Sequence, residues 1–196
     1  HQIMELNKIN SLVELFFKKY EEKKIQPQQS FLKWLKINKN NFLTWEKVQE
    51  DIQILSQYLK KILSSGDRCV LLSENRPEWL ITDIAIMNSG GVTVPLFTTY
   101  SQKDYEYIFQ DCKPTICIVS NEIQFKKIEK LISKEIRILS IENFNNSIES
   151  IETILEKNSK EKFKNLSIGY NNKIKRKDLA CIIYTSGTTG SPKGVM

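Results

Sequence analysis

The segment Tyr184-Thr185-Ser186-Gly187-Thr188-Thr189-Gly190-Ser191-Pro192-Lys193-Gly194 concentrates glycines, hydroxyl side chains and one lysine in a short stretch. Glycine lets successive backbone N–H groups turn inward into a concave anion site, hydroxyls add donors, and lysine brings a full positive charge. That inventory suits a polyphosphate. A Walker A loop would need glycine, four residues, glycine, lysine and then serine or threonine. Here Lys193 stands before the last glycine, Gly194, so the P-loop NTPase reading fails on residue order. A plain surface loop of small polar residues is the competing reading, and the density of the combination argues against it.

Such a loop must be carried by something rigid, and the residues before it supply candidates. The apolar run Leu179 to Tyr184 predicts a strand leading directly into the loop. Upstream, from Arg68, short apolar runs alternate with helical patterns: a strand over Cys69 to Leu72, a helix opened by Pro77, and a strand over Val92 to Leu96 after Gly90-Gly91. Pro77 suits a first helical position because its missing N–H would have had no intrahelical partner. Strand, helix, strand in so few residues is a βαβ unit, which implies parallel pairing. The alternation continues with a helix from Ser101, where Ser101 and Asp104 have capping-box spacing, then a strand from Thr115 to Val119. A helix near Asn121, a strand from Ile136 to Ile141 and a helix around Ile151 to Leu155 follow.

The first third of the chain reads differently. Leu6, Ile9, Leu12, Val13, Phe16, Phe17 and Tyr20 recur at helical spacing, an amphipathic helix that faces a core better than a membrane because its polar side mixes lysine and glutamate. Phe31 to Leu35 alternates, and with the turn Asn38-Lys39-Asn40-Asn41 and Phe42-Leu43 predicts a hairpin. Thr44 is placed to cap a long helix with the stripe Trp45, Val48, Ile52, Leu55, Leu59 and Ile62, ending at Ser64-Ser65-Gly66. The fold class expected is α/β, a mainly parallel sheet flanked by helices with an N-terminal hairpin.

Composition narrows the class. With 196 residues, 40% hydrophobic and 27% charged, the chain holds enough apolar surface for one good core. The net charge of +6 comes from 29 basic and 23 acidic residues that are interleaved along the chain, which gives little support to a nucleic-acid partner. The most basic stretch, Lys173-Ile174-Lys175-Arg176-Lys177, has no interleaved aromatics and reads as part of a solvated connector over 158–177. Cys69, Cys112, Cys117 and Cys181 stand singly in apolar stretches, and His1 is the only histidine, so neither a zinc site nor a disulfide framework is expected. No stretch is long and apolar enough for a spanning helix, and no signal-peptide pattern opens the chain, which makes a cytoplasmic enzyme the default expectation. Both ends, His1 and Met196, read as cut.

The segment Tyr184 to Gly194 resembles the phosphate-binding signature of the adenylate-forming superfamily, which includes acyl-CoA synthetases, luciferases and peptide-synthetase adenylation domains. Ser73-Glu74-Asn75-Arg76-Pro77-Glu78-Trp79, with Gly90-Gly91-Val92-Thr93-Val94-Pro95-Leu96-Phe97-Thr98-Thr99, is similar to the matching stretch of long-chain fatty acyl-CoA synthetases. Read without the resemblance, Pro77 and Trp79 start and anchor a helix and Pro95 ends a strand.

The resemblance implies an incomplete N-terminal domain of the adenylate-forming fold. Residues 1–66 would be a helix-hairpin-helix lead-in, 67–178 the βαβ repeats and 179–196 the strand and phosphate loop, with no C-terminal domain. It also implies a two-step reaction in which a carboxylic acid attacks the α-phosphate of ATP and CoA then displaces AMP. Thr185, Ser186, Gly187, Thr188, Thr189, Gly190 and Lys193 would hold the ATP phosphates, with Lys193 as a counter-charge. No catalytic residue and no metal ligand is expected in this chain, although magnesium would accompany the triphosphate. The partners implied are small molecules: ATP, CoA and a carboxylic acid, with membrane contact through the acyl substrate left open. This chain alone is expected to be inactive. Two rivals stay open, an adenylate-former for an aryl, short-chain or amino acid and a non-catalytic nucleotide-binding module.

Overall fold

The computed structural model describes residues 45–74, 76–159, 180–186 and 192–195. The lead-in helix, the hairpin over 31–43, the Thr44 cap and the connector over 160–177 lie outside the described residues.

Six strands form one sheet: β1 (Arg68–Leu72), β2 (Val92–Leu96), β3 (Ile116–Val119), β4 (Arg137–Ser140), β5 (Glu149–Ser150) and β6 (Ala180–Cys181). Their order is β5-β4-β3-β1-β2-β6, and every pairing is parallel. Parallel strands are covered on both faces, which is why β1 and β3 read as unbroken apolar runs without alternation. Every residue of β3 and the last four of β1 are buried.

The two faces divide by residue parity. Cys69, Leu71, Ile116, Ile118 and Leu139 meet Leu55 and Leu59 of α1 (Trp45–Lys60), Ala85 and Ile86 of α2 (Pro77–Asn88) and Ile151 of α5 (Ile151–Lys157). Val70, Leu72, Val94, Leu96, Cys117 and Val119 meet Tyr105, Ile108, Phe109 and Cys112 of α3 (Gln102–Cys112) and Ile128 of α4 (Glu122–Ile128). A short 3-10 turn, Glu129–Leu131, follows α4. The chain therefore steps from β1 to β2 through α2 on one face and back across β1 to β3 through α3 on the other.

Local chemistry sets the helix starts. Pro77 occupies the first turn of α2. Ser101 and Asp104 form the expected reciprocal box at α3: the Asp104 N–H donates to Ser101 Oγ at 3.2 Å, and the Ser101 N–H to Asp104 Oδ2 at 3.0 Å. Asn121 caps α4 and Ser150 caps α5 through side chains that accept from Gln124 and Thr153 N–H groups.

Three expectations need correction. Helix α1 stops at Lys60, before Ser64-Ser65-Gly66, because the Ile62 and Leu63 N–H groups both turn back to Leu59 and close a tighter turn. Ile62 still packs on the α1–α2 core from outside the helix. The strand expected over Leu179 to Tyr184 is divided at Ile182: β6 belongs to the main sheet, while β7 (Ile183–Ser186) leaves it. Pro192–Val195, read as loop, is strand β8. Among the cysteines, Cys69, Cys112 and Cys117 are buried free thiols, as their apolar settings suggested.

Candidate phosphate-binding site

Strand β6 is held beside β2 with Ala180 opposite Val92 and Cys181 opposite Thr93, and the Ile182 N–H donates to the Thr93 carbonyl at 2.9 Å. Beyond that bond the chain leaves the sheet and doubles back. Strands β7 and β8 pair antiparallel, with Tyr184 opposite Gly194, Thr185 opposite Lys193 and Ser186 opposite Pro192. The candidate loop is thus the connection of a hairpin that grows from an edge strand of the parallel sheet. The backbone places Thr185 and Lys193 directly across from each other and brings Ser186 to the last pair before the connection. Gly187, Thr188, Thr189 and Gly190 lie outside the described residues.

The base of this hairpin is fixed by Tyr184. Its side chain is buried in the α3 core. Its phenol donates to Asp111 Oδ2 at 2.8 Å, and its backbone carbonyl accepts from the Tyr100 hydroxyl at 2.6 Å. Burial, and then the Asp111 carboxylate, push the Tyr184 phenol well above the ordinary tyrosine range, so it stays a proton donor. The last glycine of the motif has a packing reason: a β-carbon on Gly194 would stand 3.3 Å from the Tyr184 ring and 3.3 Å from Ile182 Cγ2.

The second motif does different work. In the strand order, β1 connects to β2 on one side while β3 lies on the other, so the crevice at the carboxyl ends of β1 and β3 is the switch point where open α/β sheets commonly take ligands. Here Glu74 occupies it. Its carboxylate accepts from Ser120 Oγ at 2.6 Å, Gln124 Nε2 at 2.7 Å and Asn121 Nδ2 at 3.0 Å. Burial alone would raise this acid; the bonds from Ser120, its own backbone N–H, Gln124 and Asn121 outweigh that and hold it down at about 2. Arg76 extends the tie by donating to Glu142 at 2.7 Å, just past β4, and to Glu78 at 3.0 Å. Trp79 packs on the α1–α2 core. Glu74 and Arg76 therefore knit the loops after β1, β3 and β4 together, while Pro77 starts α2 and Trp79 anchors it, in agreement with the packing reading of those two residues.

Glu74, Tyr100 and Asp111 were not among the site residues expected from sequence. Glu74 lies within the Ser73–Trp79 segment, but its partners are 46 to 50 residues away and the segment alone does not reveal its role; the partners of Tyr100 and Asp111 are 84 and 73 residues away, and no local pattern marks those two. Among the described residues, no group of three or more His, Cys, Asp or Glu side chains could hold a metal ion, and no helix is long and apolar enough to cross a membrane.

Fold and site together describe an α/β protein whose parallel sheet is followed, after edge strand β6, by a β7–β8 hairpin that sets Thr185 opposite Lys193. The chain belongs to the family of AMP-binding enzymes, whose sequence profile matches residues 21–196. It is 28% identical over 146 residues to a Bos taurus protein described as long-chain-fatty-acid–CoA ligase ACSBG1, covering 71% of this chain and 20% of that one. It is 31% identical over 153 residues to the human mitochondrial acyl-coenzyme A synthetase ACSM3, covering 74% of this chain and 25% of that one. Among solved structures, the anthranilate CoA ligase AuaEII in complex with anthranoyl-AMP superposes with a TM-score of 0.68 at 20% identity, over 95% of this chain and 34% of that one. The chain therefore spans about a fifth to a quarter of the length of these curated relatives. The fold is that of the N-terminal part of adenylate-forming enzymes.

Proposed function

We propose that this chain supplies the phosphate-gripping part of an AMP-forming acyl-CoA synthetase that activates a long-chain fatty acid. The observation that carries the proposal is the β7–β8 hairpin, which sets Thr185 opposite Lys193.

A carboxylate is a poor acyl donor because its negative charge deactivates the carbonyl. Attack of the acid oxygen on the α-phosphate of ATP breaks the bond to the β-phosphate, forming acyl-adenylate and pyrophosphate. The CoA thiol then attacks the acyl carbon and AMP departs. Charge accumulates on the leaving pyrophosphate in the first step, and preorganised donors at that point lower the barrier. Thr185, Ser186, Thr188, Thr189 and the amides around Gly187 and Gly190 are assigned to that role, with Lys193 as counter-charge. Magnesium is assigned to the triphosphate itself, and no step is given to a metal held by this chain. The choice of a long-chain acid is supported by the resemblance of the Ser73–Trp79 segment and by the likeness to the ACSBG1 ligase.

The test is product analysis on the full-length protein with ATP, magnesium, CoA and a panel of carboxylic acids. AMP and pyrophosphate that appear only with a long-chain acid are expected. Release of ADP, or AMP formation with no dependence on acid, would overturn the reading; strict dependence on an aryl, short-chain or amino acid would overturn the substrate choice alone.

A further inference from the structure

Tyr184 is the last residue before the proposed phosphate-binding residues begin, and it is held at two chemically separate points. The Tyr100 hydroxyl, from the loop after β2, donates to its backbone carbonyl at 2.6 Å. Its own phenol donates to Asp111, in the last turn of α3, at 2.8 Å. One bond fixes the backbone of the hairpin and the other fixes the side chain that passes through the core. Tyr100 is itself braced, and so is the Tyr184 ring. Tyr100 sits edge-on to Phe97 and Tyr105, with centroids 5.2 and 5.9 Å away, and the Tyr105 hydroxyl donates to the Phe97 carbonyl at 2.7 Å. On α3, Tyr107 stands edge-on to the Tyr184 ring at 6.5 Å. The opposite strand is drawn in as well, because Gly194 lies against the same ring.

Burial of an apolar ring would have kept Tyr184 in the core without either bond, and phenylalanine would serve that purpose. The two bonds add direction. They leave β7 one orientation relative to the sheet at the point where the chain abandons its parallel partner β2, and hence one position for Thr185 and for Lys193 opposite it.

We propose that Tyr100 and Asp111 are positioning residues for the phosphate loop, acting through the carbonyl and the phenol of Tyr184 to hold the β7–β8 hairpin where the triphosphate is bound. This rests on the adenylation reading above, and two readouts separate them.

In the full-length protein, Tyr100→Phe removes one hydrogen bond and Asp111→Leu the other, each with a side chain of similar size that cannot make it. Amide hydrogen exchange is followed without nucleotide, and acid-dependent exchange between ATP and pyrophosphate is followed with it. Each net bond contributes about 0.5–1.5 kcal/mol, so the amides of 183–195 are expected to exchange about two- to tenfold faster in either variant, while those of β1 and β3 stay as they were. The same variants should raise the KM for ATP or lower kcat by a similar factor, with the KM for the acid unchanged. Hairpin amides that exchange at the wild-type rate would overturn the proposal. So would faster exchange spread equally over β1 and β3, which would mark a general loss of stability, or a faster hairpin with unaltered ATP kinetics. A wild-type protein with no acid-dependent pyrophosphate exchange would instead sink the adenylation reading, and the hydrogen-exchange contrast would then decide whether the hold on the hairpin stands.

Discussion

The carboxylate of Glu74, next to the buried Ser73 that follows β1, accepts a 2.6 Å hydrogen bond from Ser120, which begins the loop after β3. With Asn121 and Gln124 also donating, three side chains from the β3–α4 connection and the first turn of α4 converge on one acid from the β1–α2 connection. Asn121 does two jobs at once: its Oδ1 caps α4 by accepting from the Gln124 N–H, and its Nδ2 reaches Glu74.

This arrangement has a pH signature. Glu74 falls from an ordinary 4.5 to about 2 on folding, so the unfolded chain takes up the proton first as pH drops. The stabilisation is full above the unfolded value and is lost as pH falls from about 5 through about 2. Charge-assisted bonds are worth roughly 1.5–3 kcal/mol, and the partial exposure of Glu74 reduces the expected cost of Glu74→Gln to about 1–2 kcal/mol at neutral pH. Urea unfolding at pH 7 and pH 3 should show a wide gap between wild type and variant at pH 7 that narrows at pH 3. A gap of constant size would show that the charge plays no part.

A second prediction concerns the close approach of α2 to the start of β2. A β-carbon on Gly91 would stand 3.0 Å from Ile86 Cγ2, 3.3 Å from the Ile86 carbonyl and 3.3 Å from Cys69 Sγ. The carbonyl cannot retreat easily, because it accepts from the Gly91 N–H at 3.0 Å and helps to end the helix. Gly91→Ala is expected to cost about 1–3 kcal/mol by overpacking. A urea midpoint unchanged from wild type would mean that the α2–β2 turn yields more than its packing suggests.

What the sequence revealed and what it hid follows from how far each interaction reaches. The reciprocal Ser101–Asp104 box and the Pro77 helix start are legible because donor and acceptor sit within one turn. Continuous apolar runs at Cys69–Leu72 and Ile116–Val119 announce strands covered on both faces. The apolar run ending at Tyr184 announces a strand too, but apolarity cannot say which sheet each half joins. The break at Ile182 is set by the end of pairing with Thr93 and the start of pairing with Val195. Likewise Pro192-Lys193-Gly194 reads as loop because proline and glycine are poor strand formers, yet Gly194 is the residue that fits against the Tyr184 ring. The composition of the phosphate loop was readable; the tyrosine hold at its base was not, since Tyr100 and Asp111 carry no local mark.

The buried thiols give a third test. Burial pushes Cys112 up to about 11 and Cys69 to about 12, and Cys117 rises well above the ordinary thiol range for the same reason. Thiolate is the reactive form, and at pH 8 a thiol near 11 holds about one part in a thousand of it. In the native protein, iodoacetamide at pH 8 should leave Cys69, Cys112 and Cys117 unmodified over a time in which the urea-unfolded chain is fully alkylated. Mass mapping of the peptides reads this directly. Rapid native labelling of Cys117, in the middle of β3, would contradict the sheet order around it.

The last prediction addresses the loop chemistry and depends on the adenylation reading. If Lys193 neutralises charge on the departing pyrophosphate, its contribution grows as the α–β phosphate bond breaks, and removing it slows the chemical step more than it weakens ground-state binding of ATP. A lost charge-assisted donor costs roughly 1.5–3 kcal/mol, which corresponds to about ten- to a hundredfold in rate. Lys193→Ala and Thr188→Ala in the full-length protein should therefore lower kcat for acid-dependent pyrophosphate exchange by about that factor, with Lys193→Arg losing less because the charge remains. The register sets Lys193 opposite Thr185, so Thr185→Ala combined with Lys193→Ala should cost a different amount from the sum of the two single losses. Additive losses would indicate that the two residues act on separate groups of the nucleotide, and an unchanged rate in Lys193→Ala would remove lysine from the reaction altogether.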